Sequence, residues 1–369
     1  VPATQAETEV GADVAIAGRV LALLDIRENE RALVGRVLLL SLLLSGGNAL
    51  LHTAAYALFL TEFGGEALPA IYIASSIVGV LVSFAYLRIN ERFPLGRVAV
   101  GTIGGLLAAV LLYRLALGVL PGAWPIYGLP VFAALSATLK VTLYWNLLGR
   151  LFTLQQGKRL FGLLGTGELI ATTAVGLISP VLVALVGTVN LLSAAAVGFL
   201  AALLLVARFV RAFATHLSDD RTTTAPQTTT PRAGLLRNRY VLLIVGVLAL
   251  YTISSYLIDN IFYIEVEQRF RNADQLASFL GIFAGVLGGL TLILQAFVSG
   301  RVLDRYGVQP ILIAAPSLAI LWMAAYAGAA LAGGPQAVLF WLAVLANLSI
   351  VAIDALDSPG FSLLYQVFP

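Results

Sequence analysis

Ten apolar runs of about 20 residues follow one another along the chain, over 33–60, 67–87, 96–120, 127–150, 160–186, 190–212, 239–264, 276–299, 308–332 and 336–356. Each is long enough to cross a bilayer as a helix, which takes roughly 20 apolar residues. Stretches such as "VLLLSLLL" and "LLAAVLLY" are continuous in Leu and Ala. They predict helices, because a membrane barrel needs alternating strands of about ten residues. The polar breaks between runs are short, with one exception: "HLSDDRTTTAPQTTTPRAGLLRNRY" is Thr/Pro-rich and separates the sixth run from the seventh. The predicted organisation is therefore an N-terminal segment over 1–32, a first six-helix half over 33–213, a linker over 214–238 and a second part over 239–369. Within the first segment, "VAIAGRVLALLDIRENERALV" has an apolar face followed by mixed charge and reads as an amphipathic helix on the membrane surface.

Composition agrees with the pattern. The 369 residues are 60% hydrophobic and 11% charged, with a mean hydropathy of +0.94, against roughly 25% charged in soluble domains. The chain reads as an all-α integral membrane protein whose immediate partner is the lipid bilayer. There is no Cys, and His52 and His216 are far apart. No disulfide framework or metal cluster is expected, and no cofactor. The Gly-rich phosphate loop ending in Lys-Ser or Lys-Thr and the Gly-x-Ser-x-Gly elbow are both missing from the sequence, so an enzyme is not expected.

Net charge is +3, yet the bases do not form one patch for nucleic acid. If the N-terminal end is cytoplasmic, 18 of the 22 basic residues fall on cytoplasmic segments, while the turns "TEFGGEALP", "PGAWPIYG", "VGTVN" and "GGPQ" carry none. Only Arg269 and Arg271 break that pattern. The bias predicts a cytoplasmic N-terminus.

The segment after the second run reads "RINERFPLGR" and the one after the eighth "RVLDRYGVQP". Arg88, Glu91, Arg92 and Phe93 match Arg301, Asp304, Arg305 and Tyr306 at a constant offset of 213, which predicts two halves built on one plan. With Gly300 and Gly307, the second copy resembles the signature of the major facilitator superfamily. In that family the acid sits at a helix end and the arginine tethers neighbouring helices on the cytoplasmic side. The first copy departs from it, with Leu87 for the first glycine and Glu91 for the aspartate. "LLDIRENERALV", "WNLLGRLFTLQQGKRLFGLLGTGELIATTAVG" and "ALDSPGFSLLYQ" are more narrowly similar to the bacterial and plastid ATP/ADP translocases and their relatives. The resemblance implies twelve helices, of which ten are visible here, a bacterial inner membrane location, and in some relatives C-terminal HEAT repeats and a cyclic-nucleotide-binding domain.

In that plan helices 1, 4, 7 and 10 line a central cavity, and the polar intramembrane residues fall on those four. They are Asn48, His52 and Tyr56 at helical spacing, Lys140 with Tyr144 one turn on, Tyr256 and Asp259, and Asp354. Ionisable groups at mid-membrane cost about 2.5–3.5 kcal/mol each on insertion scales, so they normally face water or one another. Lys140 is expected to line the cavity. Glu168 is read as the partner of nearby Lys158 or Arg159, with coupling as its other role. The expected function is a secondary transporter working by alternating access, its substrate a nucleotide or another small polar solute. A proton-coupled carrier of a non-nucleotide solute and a membrane sensor regulating a C-terminal domain or partner are the alternatives.

Overall fold

The computed structural model describes residues 27–28, 30–120, 122–212, 239–299, 301, 305 and 309–365. Two thirds of the predicted amphipathic segment lies outside these residues, its last four residues opening the first helix, and the linker 214–238 lies wholly outside them. Ten α-helices and no strand occur among the described residues. They are α1 (Arg31–Phe63), α2 (Leu68–Arg92), α3 (Leu95–Val119), α4 (Trp124–Leu151), α5 (Leu154–Val186), α6 (Leu191–Ala212), α7 (Arg239–Arg269), α8 (Ala273–Leu294), α9 (Gln309–Leu331) and α10 (Gln336–Tyr365). Seven of these, α1 to α6 and α8, are long and apolar enough to cross a membrane, and α9 and α10 contribute shorter apolar stretches, Pro316–Leu331 and Gln336–Ala352.

Local chemistry sets the helix ends. Pro69 and Pro125 sit in the first turns of α2 and α4, where a missing N–H costs nothing. Thr153 and Gln156 form a capping box that starts α5. Gly64 and Gly187 close α1 and α5 with almost the same backbone, φ 75° and ψ 167° against φ 76° and ψ 160°. This left-sided φ favours glycine. Each glycine is followed by one 3-10 turn, Gly65–Ala67 and Thr188–Asn190.

The bundle is apolar outside as well as inside. Phe59, Phe199 and Phe262 are fully buried, while Phe84, Leu112, Trp124 and Ile320 are exposed, as expected where the surroundings are lipid rather than water. In the first half α1 packs on α4, α5 and α6, and α3 on α6; in the second, α10 packs on α7, α8 and α9. The halves meet chiefly along α5 and α8. A Cβ added at Gly176 would lie 2.5 Å from the backbone nitrogen of Gly285 and 2.6 Å from the carbonyl of Gly281, and one at Gly288 would lie 2.8 Å from the Thr173 hydroxyl. Two helix backbones approach this closely only where both carry small residues.

Candidate functional site

A cavity of about 310 Å³ lies between the halves. Its first-half wall is Ser45, Asn48, Ala49, His52 and Thr53 from α1, Lys140 from α4, and Glu168 and Thr172 from α5. The second-half wall has Asp259 and Tyr263 of α7 and Asn347 of α10, and is otherwise mostly apolar, with Phe262, Phe283 and Leu287 prominent. The expected helices α1, α4, α7 and α10 all contribute. To them the structure adds α5 and α8, whose close seam brings their side chains to the same space.

The polar groups form two layers. At 1.5 Å rise per residue, Lys140 and Glu168 lie about 16 and 21 Å in from the arginine-rich end of the bundle, where α4 hands over to α5. Lys140 Nζ is 2.5 Å from Glu168 Oε1 and donates to Ser45 Oγ at 3.3 Å. The Lys140 side chain is 5% exposed and that of Glu168 46%, so the acid is the more open member of the pair. Counted from the opposite end, His52, Asp259 and Asn347 all lie about 15–17 Å deep. There Asp259 accepts from the Tyr72 hydroxyl and from Asn347 Nδ2, each at 3.0 Å. Asn48 accepts a 2.5 Å hydrogen bond from Ser136.

Of the residues expected in the cavity, Asn48, His52, Lys140 and Asp259 line it. Three tyrosines do not. Tyr56 is buried behind His52, stacked on it at 4.3 Å and on Tyr263 at 4.8 Å. Tyr144 turns toward the arginine-rich end and donates to the Leu164 carbonyl at 2.9 Å. Tyr256 stacks on Tyr72 at 4.7 Å on the flank of the bundle, beside a separate groove lined by Ser75, Ser76 and Ser83. The Asp354 side chain lies outside the described residues. Glu168 does not pair with Arg159, whose guanidinium instead meets Glu30.

At the end carrying Gly64 and Gly187, hydrogen bonds join the halves. The N–H of Gly65 donates to Glu267 Oε2 at 2.7 Å, and Asn260 Nδ2 donates to the Gly65 carbonyl at 2.9 Å. Thr188 donates to Asp274 Oδ1 through its N–H at 2.9 Å and its hydroxyl at 2.6 Å. The two Gly-then-3-10 turns thus each present a first N–H to a carboxylate of the other half, a charge-assisted contact. The arginine-rich end differs. Arg88, Glu91 and Arg92 are exposed, and among the described residues no hydrogen bond ties them to the second half. Arg301 and Arg305 are exposed as well; Gly300, Asp304 and Gly307 lie outside the described residues.

Known proteins place this geometry. The model of the TLC ATP/ADP transporter family matches residues 131–353, more than half of the chain. The chain belongs to the TLC ATP/ADP transporter family. This TLC-family chain is also similar in fold to a D-xylose-proton symporter, with TM-score 0.57 and 16% identity over 91% of this chain and 83% of that one. A second similar structure is a bacterial homologue of the iron transporter ferroportin in an inward-facing state, with TM-score 0.59 and 13% identity over 91% of this chain and 84% of that one. No curated protein sequence matches it. The TLC-family chain is therefore a membrane transporter with a major-facilitator-like helical bundle.

Proposed function

We propose that the protein is a secondary carrier that moves a small polar solute by alternating access, with the cavity between the halves as its binding site. One observation carries the reading: both halves supply wall residues to a single polar cavity, while among the described residues the hydrogen bonds joining the halves run from that cavity to one end of the bundle. The arginine-rich end is assigned to the cytoplasm by its charge, so this conformation is closed outside. The fold shared with the ferroportin homologue in its inward-facing state supports that direction. On this reading Arg88, Glu91, Arg92, Gly300, Asp304, Arg305 and Gly307 form the cytoplasmic latch. A sensor that had kept the fold would not need a wall assembled from six helices around charged groups.

The chain lacks cysteine, which allows a direct test. Thr172→Cys, on the cavity wall, is exposed to a membrane-impermeant thiol reagent in right-side-out and inside-out vesicles. Labelling from the cytoplasmic side alone, turning to labelling from the outside when the outer hydrogen bonds are removed, supports the carrier. Simultaneous access from both sides indicates a channel, and no access from either side removes the carrier reading.

A further inference from the structure

We infer that the groove between α2 and α3 seats an acyl chain of an anionic phospholipid, drawn from the leaflet at the arginine-rich end, with its headgroup phosphate on Arg97. The two helices are joined by the short Phe93–Pro94 turn, yet beyond it they part. α2 packs on α4, α3 packs on α6 and α4, and little contact runs between α2 and α3 themselves. The gap is a groove of about 670 Å³, separate from the cavity between the halves and backed by Phe132 and Leu139 of α4. Its α2 side carries Ile89 and Phe93, and its α3 side Gly101 and Gly105. All four are exposed, so the groove opens outward, and along its apolar length the surroundings are lipid.

The α3 side gives the groove its shape. Gly101, Gly105 and Ala109 recur at helical spacing and line it together. Small residues in membrane helices usually mark a place where two backbones meet, as Gly176 does against Gly281 and Gly285. At Gly101 and Gly105 a Cβ would find nothing within 4 Å. Glycine weakens a helix relative to alanine, and here the space it opens is filled by no neighbouring helix among the described residues. The bilayer supplies what fills it.

Length and charge name the occupant. From Arg97 to Ala109 the groove follows 12 residues of α3, about 18 Å at 1.5 Å per residue. Half of the bilayer's hydrocarbon core is about 15 Å, so the groove runs the depth of one leaflet. Arg97 lines its shallow end, exposed in the first turn of α3. A guanidinium matches a phosphate with paired hydrogen bonds, and the start of a helix favours an anion further. An apolar chain ending in an anionic phosphate ester therefore meets its complement along its length and at its head. Tyr86 of α2 lines the same groove and is 5% exposed; its hydroxyl is buried without a hydrogen bond of normal geometry, although Asn146 of α4 is near. Buried hydroxyls normally have a partner. Tyr86 lies six residues in from the end of α2, below Arg97, and the ester carbonyls of a seated lipid bring acceptors to that level.

The test uses the full protein in detergent, titrated with phosphatidylglycerol or with phosphatidylcholine of the same acyl chains, and bound lipids are counted by native mass spectrometry. The tightest site is expected to take one lipid and to bind phosphatidylglycerol at least tenfold more tightly than phosphatidylcholine. Arg97→Gln should abolish that preference, while Arg301→Gln, which removes an exposed arginine of the second half, should leave it unchanged. Gly105→Leu puts a side chain into the groove and should weaken the tight site at least tenfold for either headgroup, with a lipid-free thermal midpoint no lower than the parent's. Gly101→Leu fills the same space one turn nearer Arg97, so a folding failure in one variant leaves the other to decide. The inference is overturned if the parent shows no headgroup preference, if the preference survives Arg97→Gln or is lost equally in Arg301→Gln, or if a folded Gly105→Leu or Gly101→Leu protein binds as the parent does. A parent dimer that both glycine variants convert to monomer, read by light scattering, also overturns it, because the groove then holds a second copy of the chain.

Discussion

Lys140 on α4 and Glu168 on α5 are 28 residues apart and form an ion pair 2.5 Å long near the middle of the bundle. Their exposure is unequal, 5% for the lysine and 46% for the glutamate. This asymmetry decides what each does when its partner is removed.

Glu168→Gln is expected to destabilise more than Lys140→Met. The first leaves a buried ammonium with a neutral amide and Ser45, at a cost of about 1–3 kcal/mol. The second leaves a carboxylate that cavity water still reaches, and its cost is below about 1 kcal/mol. Thermal midpoints in detergent, measured for both single variants and for the double variant, check this. The double variant should recover most of the Glu168→Gln loss, and equal losses in the two single variants would contradict the asymmetry.

Gly176→Ala should loosen the contact between the halves. Its new methyl meets backbone atoms of Gly281 and Gly285, which cannot rotate aside as a side chain could, and overpacking of this kind typically costs about 1–3 kcal/mol. Gly162 is the control, because a Cβ there meets nothing within 4 Å. Gly162→Ala is expected to be neutral or stabilising by up to about 1 kcal/mol through helix propensity. Thermal midpoints of the two variants should move in opposite directions or differ by several degrees.

Most of the helices are legible in the sequence because unbroken apolar runs of membrane length have little alternative to helix. The α1, α4 and α7 contributions to the cavity are legible for a related reason: Asn48, His52, Lys140 and Asp259 are polar intrusions in such runs. The α8 wall is not, since Phe283 and Leu287 look the same whether they face lipid or a solute. The partner of Glu168 was hidden by chain proximity. Lys158 and Arg159 are close in sequence, but nine or ten residues of helix put them about 14 Å away along the axis. Depth counting could have found the true partner, because Lys140 and Glu168 stand 11 and 14 residues from the same end of the bundle. Tyr56, Tyr144 and Tyr256 share faces with cavity residues along their helices, yet aromatic stacking and the Leu164 carbonyl draw them elsewhere.

The start of α1 is pinned by Glu30, which accepts from Gln156 and pairs with Arg159. Burial alone would raise its pKa, but the hydrogen bonds from Gln156 and Arg159 and the charge of Arg159 together outweigh that and hold the carboxyl below its ordinary value. A depressed carboxyl pKa contributes stability above the unfolded value, near 4.3 for Glu, and loses it as pH falls through the lower folded value. Thermal midpoints between about pH 6 and pH 3 should therefore fall less steeply in Glu30→Gln than in the parent. The two proteins should converge at the acid end, and parallel curves would show that this carboxylate contributes nothing to the pH dependence.

The two glycine turns give the last prediction. Gly65 and Thr188 each offer a backbone N–H to a carboxylate of the second half, Glu267 and Asp274. Neutralising either acid leaves its turn intact, since the turn geometry belongs to Gly64 and Gly187, and weakens only the bond across the halves. Each charge-assisted hydrogen bond contributes on the order of 1.5–3 kcal/mol, enough to change a two-state population by roughly tenfold or more. Glu267→Gln with Asp274→Asn is thus expected to fold normally and to shift Thr172→Cys toward labelling from the outer side. Each single change should produce a smaller shift in the same direction. Gly187→Ala is predicted to act similarly by a different route, because a residue with a Cβ is strained at φ 76° and the turn that aims the Thr188 N–H would distort. If the double variant labels only from the cytoplasm, at the parent's rate, then the α5 and α8 seam and the remaining bonds from Asn260 and Tyr72 hold the outer side closed, and the Glu267 and Asp274 contacts are caps rather than a gate.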